Sequence, residues 1–591
     1  MLFGKHVNKF YKKYFFYFFF GILTLIAVDY IQLLIPELIG NVVDGVNTGT
    51  ITFTHLDPLI ENVLWILLVG VGMFLGRFLW RVCIFGEAIR IQADLRLDMF
   101  KKTEVLTQRY YKANKTGAIL SYFSNDLETV EEAFGFGIVQ LIDGVFLLVL
   151  ALIKMFRIQP ILTSIALIPL VLLGLCAVLI DRYMEKMFEK RQKAFESLSD
   201  FAQENFTGIR VIKAFVKEKK EMRQFAKEAK KNKETNIGFV RASALLDVLF
   251  DFLIYAIFAI ILIGGAFLVY NYVKTGGAQG ISIGSLVEFI GYVDSLIWPV
   301  FALAGTINLI ARSRTSLRRI SSLLDEKVEI VDDKVVTPDE FKGEIEFRHF
   351  SFAYPDDENH PELKDINIKI NSGETVGIVG KIGSGKSTLV NMLFRLYNVK
   401  EETLFIDGYD IMHLPVKLIR ENIGYCPQDN FLFSDTVRNN IAFSNKNLSP
   451  EDVALAAEFS SVKENIEGFK DQYDTLIGEK GVSLSGGQKQ RISISRAIVK
   501  DPKILVLDDS VSAVDVKTEE TILKNIKKIR KGKTTLLIAS RVSTVKSLDK
   551  ILVLNEGKVE AFGTHEECLK NSSTYARMVE LQTLEKEMEG K

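Results

Sequence analysis

The sequence predicts a two-part chain: an α-helical membrane domain with six transmembrane helices, followed by an α/β P-loop domain. Three observations predict it. Apolar residues before position 310 gather in runs long enough to cross a bilayer. Lys and Arg are sorted unevenly among the loops between those runs. A glycine-rich loop stands between a strand pattern and a helix pattern in the second half. The length of 591 residues already exceeds one domain. Hydrophobic residues make up 48% and charged residues 25%, too apolar for disorder and too charged for a chain lying wholly in lipid. Lys+Arg and Asp+Glu are equal at 73 each, so bulk positive charge gives no support to nucleic-acid binding. The four cysteines are widely spaced with no CxxC pair, which implies neither a disulfide framework nor a cysteine zinc site.

A spanning helix needs about 20 mostly apolar residues. Six stretches meet this: 14–35, 62–85, 133–156, 158–180, 244–269 and 283–308. The first is too long for a signal peptide and no small-residue cleavage site follows it. The N-terminal tail carries Lys5, Lys9, Lys12 and Lys13, whereas 36–61 has neither Lys nor Arg. The stretches 90–115 and 182–241 are basic, and four arginines follow the sixth run. The positive-inside rule therefore places both termini and the two long loops in the cytoplasm, with 36–61 and 270–282 outside. Both long inner loops lack proline and keep a helical pattern. Spans 2 to 5 are expected to continue as helices beyond the membrane, with short turn segments near 113–120 and 208–215. Solvated hairpins without a role are the alternative. The expected divisions are an interfacial helix at 1–13 with snorkelling lysines, spans at 14–320, a linker at 321–342, a nucleotide-binding domain at 343–580 and a tail at 581–591.

The second half begins its chemistry at Thr375–Gly380, a β-branched run that reads as a buried parallel strand. It runs into Gly380, Lys381, Ile382, Gly383, Ser384, Gly385, Lys386 and Ser387, then Thr388. This is G-x-x-x-x-G-K-S between strand and helix, the context of a P-loop. Such a loop turns backbone N–H groups toward phosphate oxygens, with Lys386 on the β/γ-phosphates and Ser387 on Mg²⁺. A second apolar strand, 504–507, delivers Asp508 to the same Mg²⁺ site, and Asp509 follows. A third, 534–539, ends at Ser540. ATP and Mg²⁺ are the cofactors expected.

Leu484, Ser485, Gly486, Gly487 and Gln488 spell LSGGQ between the P-loop and Asp508. With the six runs before it, the chain resembles an ABC exporter half-transporter over nearly its whole length. The resemblance implies a RecA-like ATPase core with helical and antiparallel β subdomains. It implies that Tyr354 stacks on adenine, that Gln428 contacts Mg²⁺ and the γ-phosphate, and that Asp515 lies in the D-loop. It further implies that residues 478–481 (GEKG) form an exporter X-loop, and that TGAILSYFSNDLETV and TGIRVIKAFVKEKKE carry coupling helices.

Two positions depart from the family pattern. Asp509 stands where the family has a glutamate that polarises the attacking water, and Ser540 where it has a switch histidine. Aspartate is one methylene shorter, and misplacement near 1 Å can cost about 10²-fold in rate. Serine cannot carry positive charge. Asp509, Gln428 and Ser540 are thus the catalytic set, impaired at Asp509 and Ser540, while the nucleotide-binding groups are intact. The resemblance then points to the degenerate-site subunit of a bacterial heterodimeric multidrug exporter, its LSGGQ completing a competent site on a different chain. A homodimer exporting drug, lipid or peptide, and a nucleotide-gated regulatory or channel-type protein, are the alternatives. An importer is disfavoured by the fused spans, and a peptidase-bearing exporter by the dozen or so residues before the first span. Acids within the spans (Asp29, Asp143, Asp251, Glu288 and Asp294) are expected to line a cavity for hydrophobic or cationic compounds, because charge near mid-bilayer costs at least ~2.5 kcal/mol. The bacterial plasma membrane is the expected location.

Overall fold

The computed structural model describes residues 4–357, 359–478 and 484–589, with the side chains of 173, 176–182 and 586–589 set aside. Two compact units emerge. One comprises 1–104 with 117–326, the other 105–116 with 327–591.

The first unit is helical. In chain order its helices are α1 (Asn8–Lys13), α2 (Phe15–Gln32), α3 (Leu34–Asn47) and α4 (Asp57–Val105). After α5 (Gln108–Ala113), which belongs to the second unit, come α6 (Thr116–Ser121), a π-helical turn over Tyr122–Asp126, α7 (Leu127–Phe134) and α8 (Phe136–Ile158). The unit ends with α9 (Pro160–Thr207), α10 (Ile209–Ala214), α11 (Glu218–Lys274) and α12 (Ile283–Asp325). Among the described residues five helical stretches are long and apolar enough to cross a membrane: Phe15–Asn47, Asp57–Val105, Thr116–Ile158, Glu218–Lys274 and Ile283–Asp325. The fourth expected span lies in α9, where Pro160–Leu172 forms a shorter apolar stretch and the rest of the span runs into side chains outside the described residues.

Helices α4, α9 and α11 run for 49, 48 and 57 residues; α9 continues through Pro169, while the stretches of these helices within 87–132 and 182–241 hold no proline. Span 3 differs from the expected continuous helix. Gly135 interrupts it with φ and ψ both at −88°, and a Cβ there would meet the Phe85 ring at 2.8 Å. The outer loop expected at 36–61 is also shorter than its sequence suggested. The chain re-enters a helix at Leu34, which places Pro36 in the first turn, where a missing N–H costs nothing.

Helix α12 organises the unit. It packs on α8, α3 and α7, and buries Phe289, Tyr292, Val293, Leu296 and Leu309. The N-terminal lysines do not simply snorkel. Lys9 pairs with Asp98 at 2.5 Å, Lys13 pairs with Asp94, and Lys5 with Asp325 at 2.8 Å. Asp94 also accepts from Tyr14 Oη at 2.8 Å, and together Lys13 and Tyr14 hold its carboxyl below the usual range.

The second unit carries the strands β1 (Ile345–Phe352), β2 (Leu363–Ile370), β3 (Thr375–Gly380), β4 (Leu404–Ile406), β5 (Tyr409–Asp410) and β6 (Ile423–Cys426). These are followed by β7 (Asp435–Thr436), β8 (Leu476–Ile477), β9 (Ile504–Asp508), β10 (Thr534–Ile538), β11 (Lys550–Asn555) and β12 (Lys558–Gly563). An antiparallel sheet runs β2-β1-β4-β5. The main sheet runs β12-β11-β3-β10-β9-β6, parallel except for β12. Strands β9 and β10 are buried at every position, which is why they read as unbroken apolar runs. Their side chains meet those of β1, β2 and β4 in one core. A separate helical cluster, with Val437, Ile441, Val453, Ile466 and Ile492 inside, carries the LSGGQ segment.

Buried Asp126 ties the π-turn to α12, accepting from Ser316 Oγ at 2.7 Å and Arg319 Nε at 2.9 Å and pairing with Arg319 Nη2. Asp126→Asn loses the ionic component of three contacts. It should cost about 2 kcal/mol, seen as a thermal transition several degrees lower in detergent, with Arg319→Lys milder.

Candidate nucleotide site

The parallel sheet decides what the site contains. Ile538 pairs with both Ile378 and Asp508, so β3, β10 and β9 end at one level. Three turns therefore leave the sheet together: the P-loop after β3, Asp509 after β9 and Ser540 after β10. They open on one cavity of about 270 Å³ lined by Gly380, Ile382, Gly383, Ser384, Gly385, Lys386, Ser387, Thr388, Gln428, Asp508, Asp509 and Ser540. Eleven positions from three sequence-distant motifs, plus Gln428 of the Q-loop, converge as chain order alone suggested. Glu362 and Ile538 also line it; Glu362 has no motif of its own to announce it.

Gly383 and Gly385 sit at φ +79° and +89°, a region costly for any residue with a Cβ. Helix α13 (Lys386–Leu393) begins directly behind them, so its free N–H groups and dipole face the cavity. Lys386 Nζ donates to Gly380 O at 2.9 Å and Lys381 O at 2.8 Å, which folds the ammonium across the mouth of the loop. Burial pushes its pKa down, and the carboxylates of Asp508 and Asp509 oppose that shift. Asp508 is 3% exposed, and burial pushes its carboxyl up against a hydrogen bond from Ser387. Ser387 and Asp508 are thus already paired, the hydroxyl-and-carboxylate couple suited to a hard divalent cation. The donors, glycines and cavity fit a nucleoside triphosphate with Mg²⁺.

Asp509 is held in the left-handed region at φ +45°, its N–H donating to Ile538 O at 3.0 Å. Ser540 Oγ lies 3.5 Å from Asp509 Oδ1, so the two departures from the family pattern are neighbours. Gln490 bridges the same turn to the signature helix, donating to Asp509 O at 3.1 Å and accepting from Ala513 N at 3.1 Å. No sequence motif had singled out Gln490.

Tyr354 is not in the cavity wall but beside it, its hydroxyl 2.9 Å from Thr388 Oγ1. Over its ring stands Lys112 of α5, 4.1 Å from the centroid. Arg109 of the same helix pairs with Glu329 at 2.9 Å, and Thr107 donates to Glu329 at 3.0 Å. The turn expected near 113–120 falls at 114–115, between α5 and α6, and α5 belongs to the nucleotide-binding unit. The signature residues stand apart from the cavity. Leu484 is buried in the helical cluster, and Ser485 caps the helix Gly486–Ile498 through a capping box with Gln488. Asp515 caps Val516–Ile529 and lies exposed. The expected X-loop residues Glu479, Lys480 and Gly481 lie outside the described residues.

Residues 18–300 match the family described as ABC transporter transmembrane region and residues 363–512 the family described as ABC transporter. A probable multidrug resistance ABC transporter ATP-binding/permease protein, YheI of Bacillus subtilis, is 35% identical across 98% of this chain and 97% of its own length. The chain belongs to the ABC transporter family. The multidrug resistance-like ATP-binding protein MdlA of Escherichia coli is 33% identical, covering 96% of this chain and 94% of its own. An ATP-dependent lipid A-core flippase of Syntrophus aciditrophicus is 33% identical over 89% of this chain and 87% of its own. In fold, the chain is similar to a bacterial Atm1-family ABC exporter with ATP bound, at a TM-score of 0.75 and 25% identity over 95% of this chain and 97% of that one. This ABC protein is an ATP-hydrolysing membrane exporter.

The acids of the membrane unit separate into distinct environments. Asp29 is buried and faces Asp143. Glu288 accepts from Tyr292 Oη at 2.6 Å. Asp251 and Asp294 are exposed on α11 and α12.

Gly385→Ala would place a Cβ at φ +89° and 2.7 Å from Leu363 Cδ2. The left-handed strain alone is roughly 1–2 kcal/mol. Nucleotide affinity, measured with a fluorescent ATP analogue, should fall at least tenfold while the protein remains folded by gel filtration.

Proposed function

We propose that this chain is the degenerate-site half of a heterodimeric exporter of hydrophobic or amphipathic compounds. It binds Mg-ATP at its own P-loop, hydrolyses it slowly, and lends its LSGGQ to a competent site on a different half-transporter. The observation that carries this reading is the juxtaposition of Asp509 and Ser540 at the open side of the cavity. Both departures fall on the groups that would orient and polarise an attacking water, and a lost general base is worth about 10²–10⁴ in rate. The binding groups are untouched. Lys386 stands ready for the β/γ-phosphates, Ser387 and Asp508 would hold Mg²⁺, and Gln428 lies exposed on the cavity wall. When bound, Mg²⁺ would neutralise phosphate charge. Tyr354 offers its ring to the adenine from beside Thr388.

Both termini and the basic loops lie on the cytoplasmic side of a bacterial plasma membrane, following the Lys and Arg bias. The cargo path is lined in part by the intramembrane acids, which suits hydrophobic cations. The divisions at 1–13, 14–320, 321–342, 343–580 and 581–591 are part of this proposal; the last helix of the membrane unit, α12, ends at Asp325.

Isolation of the tagged chain from its native membrane tests the pairing. A second half-transporter with Glu and His at the two altered positions, recovered in equal amount, is the expected result. Recovery of this chain alone as a dimer would sink the degenerate-site reading. Independently, Asp509→Glu with Ser540→His should raise ATP turnover at this site at least tenfold when the partner's P-loop lysine is replaced. An unchanged rate would show that hydrolysis here is limited by something other than these two side chains.

A further inference from the structure

The two sides of Tyr354 have different occupants. Inward, the ring packs against Phe352 and Tyr397, whose centroids lie 5.2 and 5.4 Å away and which are both buried in the core beneath the sheets. Its hydroxyl meets Thr388 Oγ1 at 2.9 Å, which ties the ring to α13 behind the P-loop. Outward, the ring is half-buried, and its cover is Lys112, an exposed residue of α5. Lys112 Nζ stands 4.1 Å from the Tyr354 centroid and 5.6 Å from that of Tyr397. The ring is not all that holds the lysine there. Arg109, one turn earlier in α5, pairs with Glu329 at 2.9 Å and with Asp356 at 3.5 Å, and Asp356 lies two residues beyond Tyr354. Helix α5 is thereby anchored to the segment that carries the ring. Carbon atoms of a stacked base rest about 3.5–4 Å from a ring. An ammonium at 4.1 Å fills that layer. The outer face thus has room for a base or for Lys112, not for both.

We propose that Lys112 and the nucleotide base compete for the outer face of Tyr354, which makes Lys112 a determinant of affinity for the base and not for the phosphates. An ammonium over the ring and an aromatic base stacked on it draw on the same π face. Each excludes the other, so Lys112 weakens ATP binding by the strength of its own contact. Linkage makes the effect reciprocal, and a bound base loosens Lys112 by the same factor. A ligand that carries phosphates alone leaves the contact intact. Residues 105–116 fold with the nucleotide-binding unit although the chain joins them to α4 and α6 of the membrane unit. Occupancy of the base seat is therefore felt by a helix that the chain connects at both ends to the membrane unit. This inference rests on the reading of Tyr354 as the seat of the adenine.

The test compares dissociation constants for Mg-ATP and Mg-tripolyphosphate. They are measured on the full-length transporter in lipid nanodiscs with its native partner, the partner's P-loop lysine being replaced so that this site alone binds. The readout is the preference for ATP over tripolyphosphate, in which any effect of the lysine's charge on the phosphates cancels. Lys112→Met should raise the preference about two- to fivefold, the strength of one exposed cation–π contact, while Lys112→Arg stays at the native value. Tyr354→Leu should lower the preference, and adding Lys112→Met to it should change nothing more. Lys112 is exposed and its replacement leaves the Arg109 contacts in place, so the variant keeps the fold. A preference unchanged or lowered by Lys112→Met, with the fall in Tyr354→Leu intact, would overturn the competition and uphold Tyr354 as the base seat. A preference that Tyr354→Leu leaves at the native value would overturn the base seat itself, and the inference with it.

Discussion

The constraint on which the nucleotide site depends is the level at which three buried parallel strands end. β3, β10 and β9 are hydrogen-bonded in register, and Ile538 pairs on one side with Ile378 and on the other with Asp508. Parallel strands buried on both faces cannot slip without taking every apolar side chain out of place. The turns that follow therefore leave the sheet at fixed separation. The glycines of the P-loop, the carboxylates of Asp508 and Asp509, and Ser540 meet because of that register, although more than 150 residues separate the first from the last. The left-handed conformation at Asp509 belongs to the same constraint. Its N–H continues the β9–β10 ladder to Ile538 while its chain turns away, and strain of this kind persists only where its surroundings fix it.

What the sequence made legible follows from this physics. Strands buried on both faces appear as short apolar runs, and a carboxylate or glycine loop at the end of such a run is visible without a structure. Thr375–Gly380 and the run closing on Asp508 were legible for that reason. Long inner helices were legible from the absence of proline in 87–132 and 182–241, the inner parts of α4, α9 and α11. Features set by tertiary contact were not. At the interruption, Gly135, the Phe85 ring of another helix leaves no room for a Cβ. The seat of Lys112 over Tyr354 joins residues 242 positions apart through a cation–π contact that no local pattern encodes. Gln490 reads as an ordinary helix residue until its amide is seen to bridge Asp509 and Ala513. The N-terminal lysines looked like interfacial anchors, yet Lys9 and Lys13 meet acids of α4 and Lys5 meets one of α12.

The intramembrane acids show the same division. Their presence in apolar runs was plain, and their cost in lipid made them candidates as a group. Their separate environments were not readable, because a helix pattern says which face a residue occupies and not what faces it. Glu288 is answered from its own helix four residues later by Tyr292. Asp29 is answered by another acid. The first arrangement closes within one helix, and the second closes between α2 and α8, where a proton shared by the two carboxyls answers both.

Binding and hydrolysis draw on different parts of one cavity, and that separation is what allows a transporter to lose one and keep the other. On the proposed reading, nucleotide is held by backbone N–H groups, a lysine, a hydroxyl and a buried carboxylate, all fixed by the P-loop and by β9. Water activation, on the same proposed reading, would fall to side chains on the turns after β9 and β10, which line the same cavity. Asp509 and Ser540 can vary there without disturbing the sheet, since neither contributes to the core formed by β1, β2, β3, β9 and β10. Gln490 nonetheless grips the Asp509 turn from the signature helix. A turn without its usual chemistry thus remains mechanically tied to the motif offered to a partner chain. On the proposed reading of this chain as a subunit that holds nucleotide and completes another site, that tie is the part worth retaining.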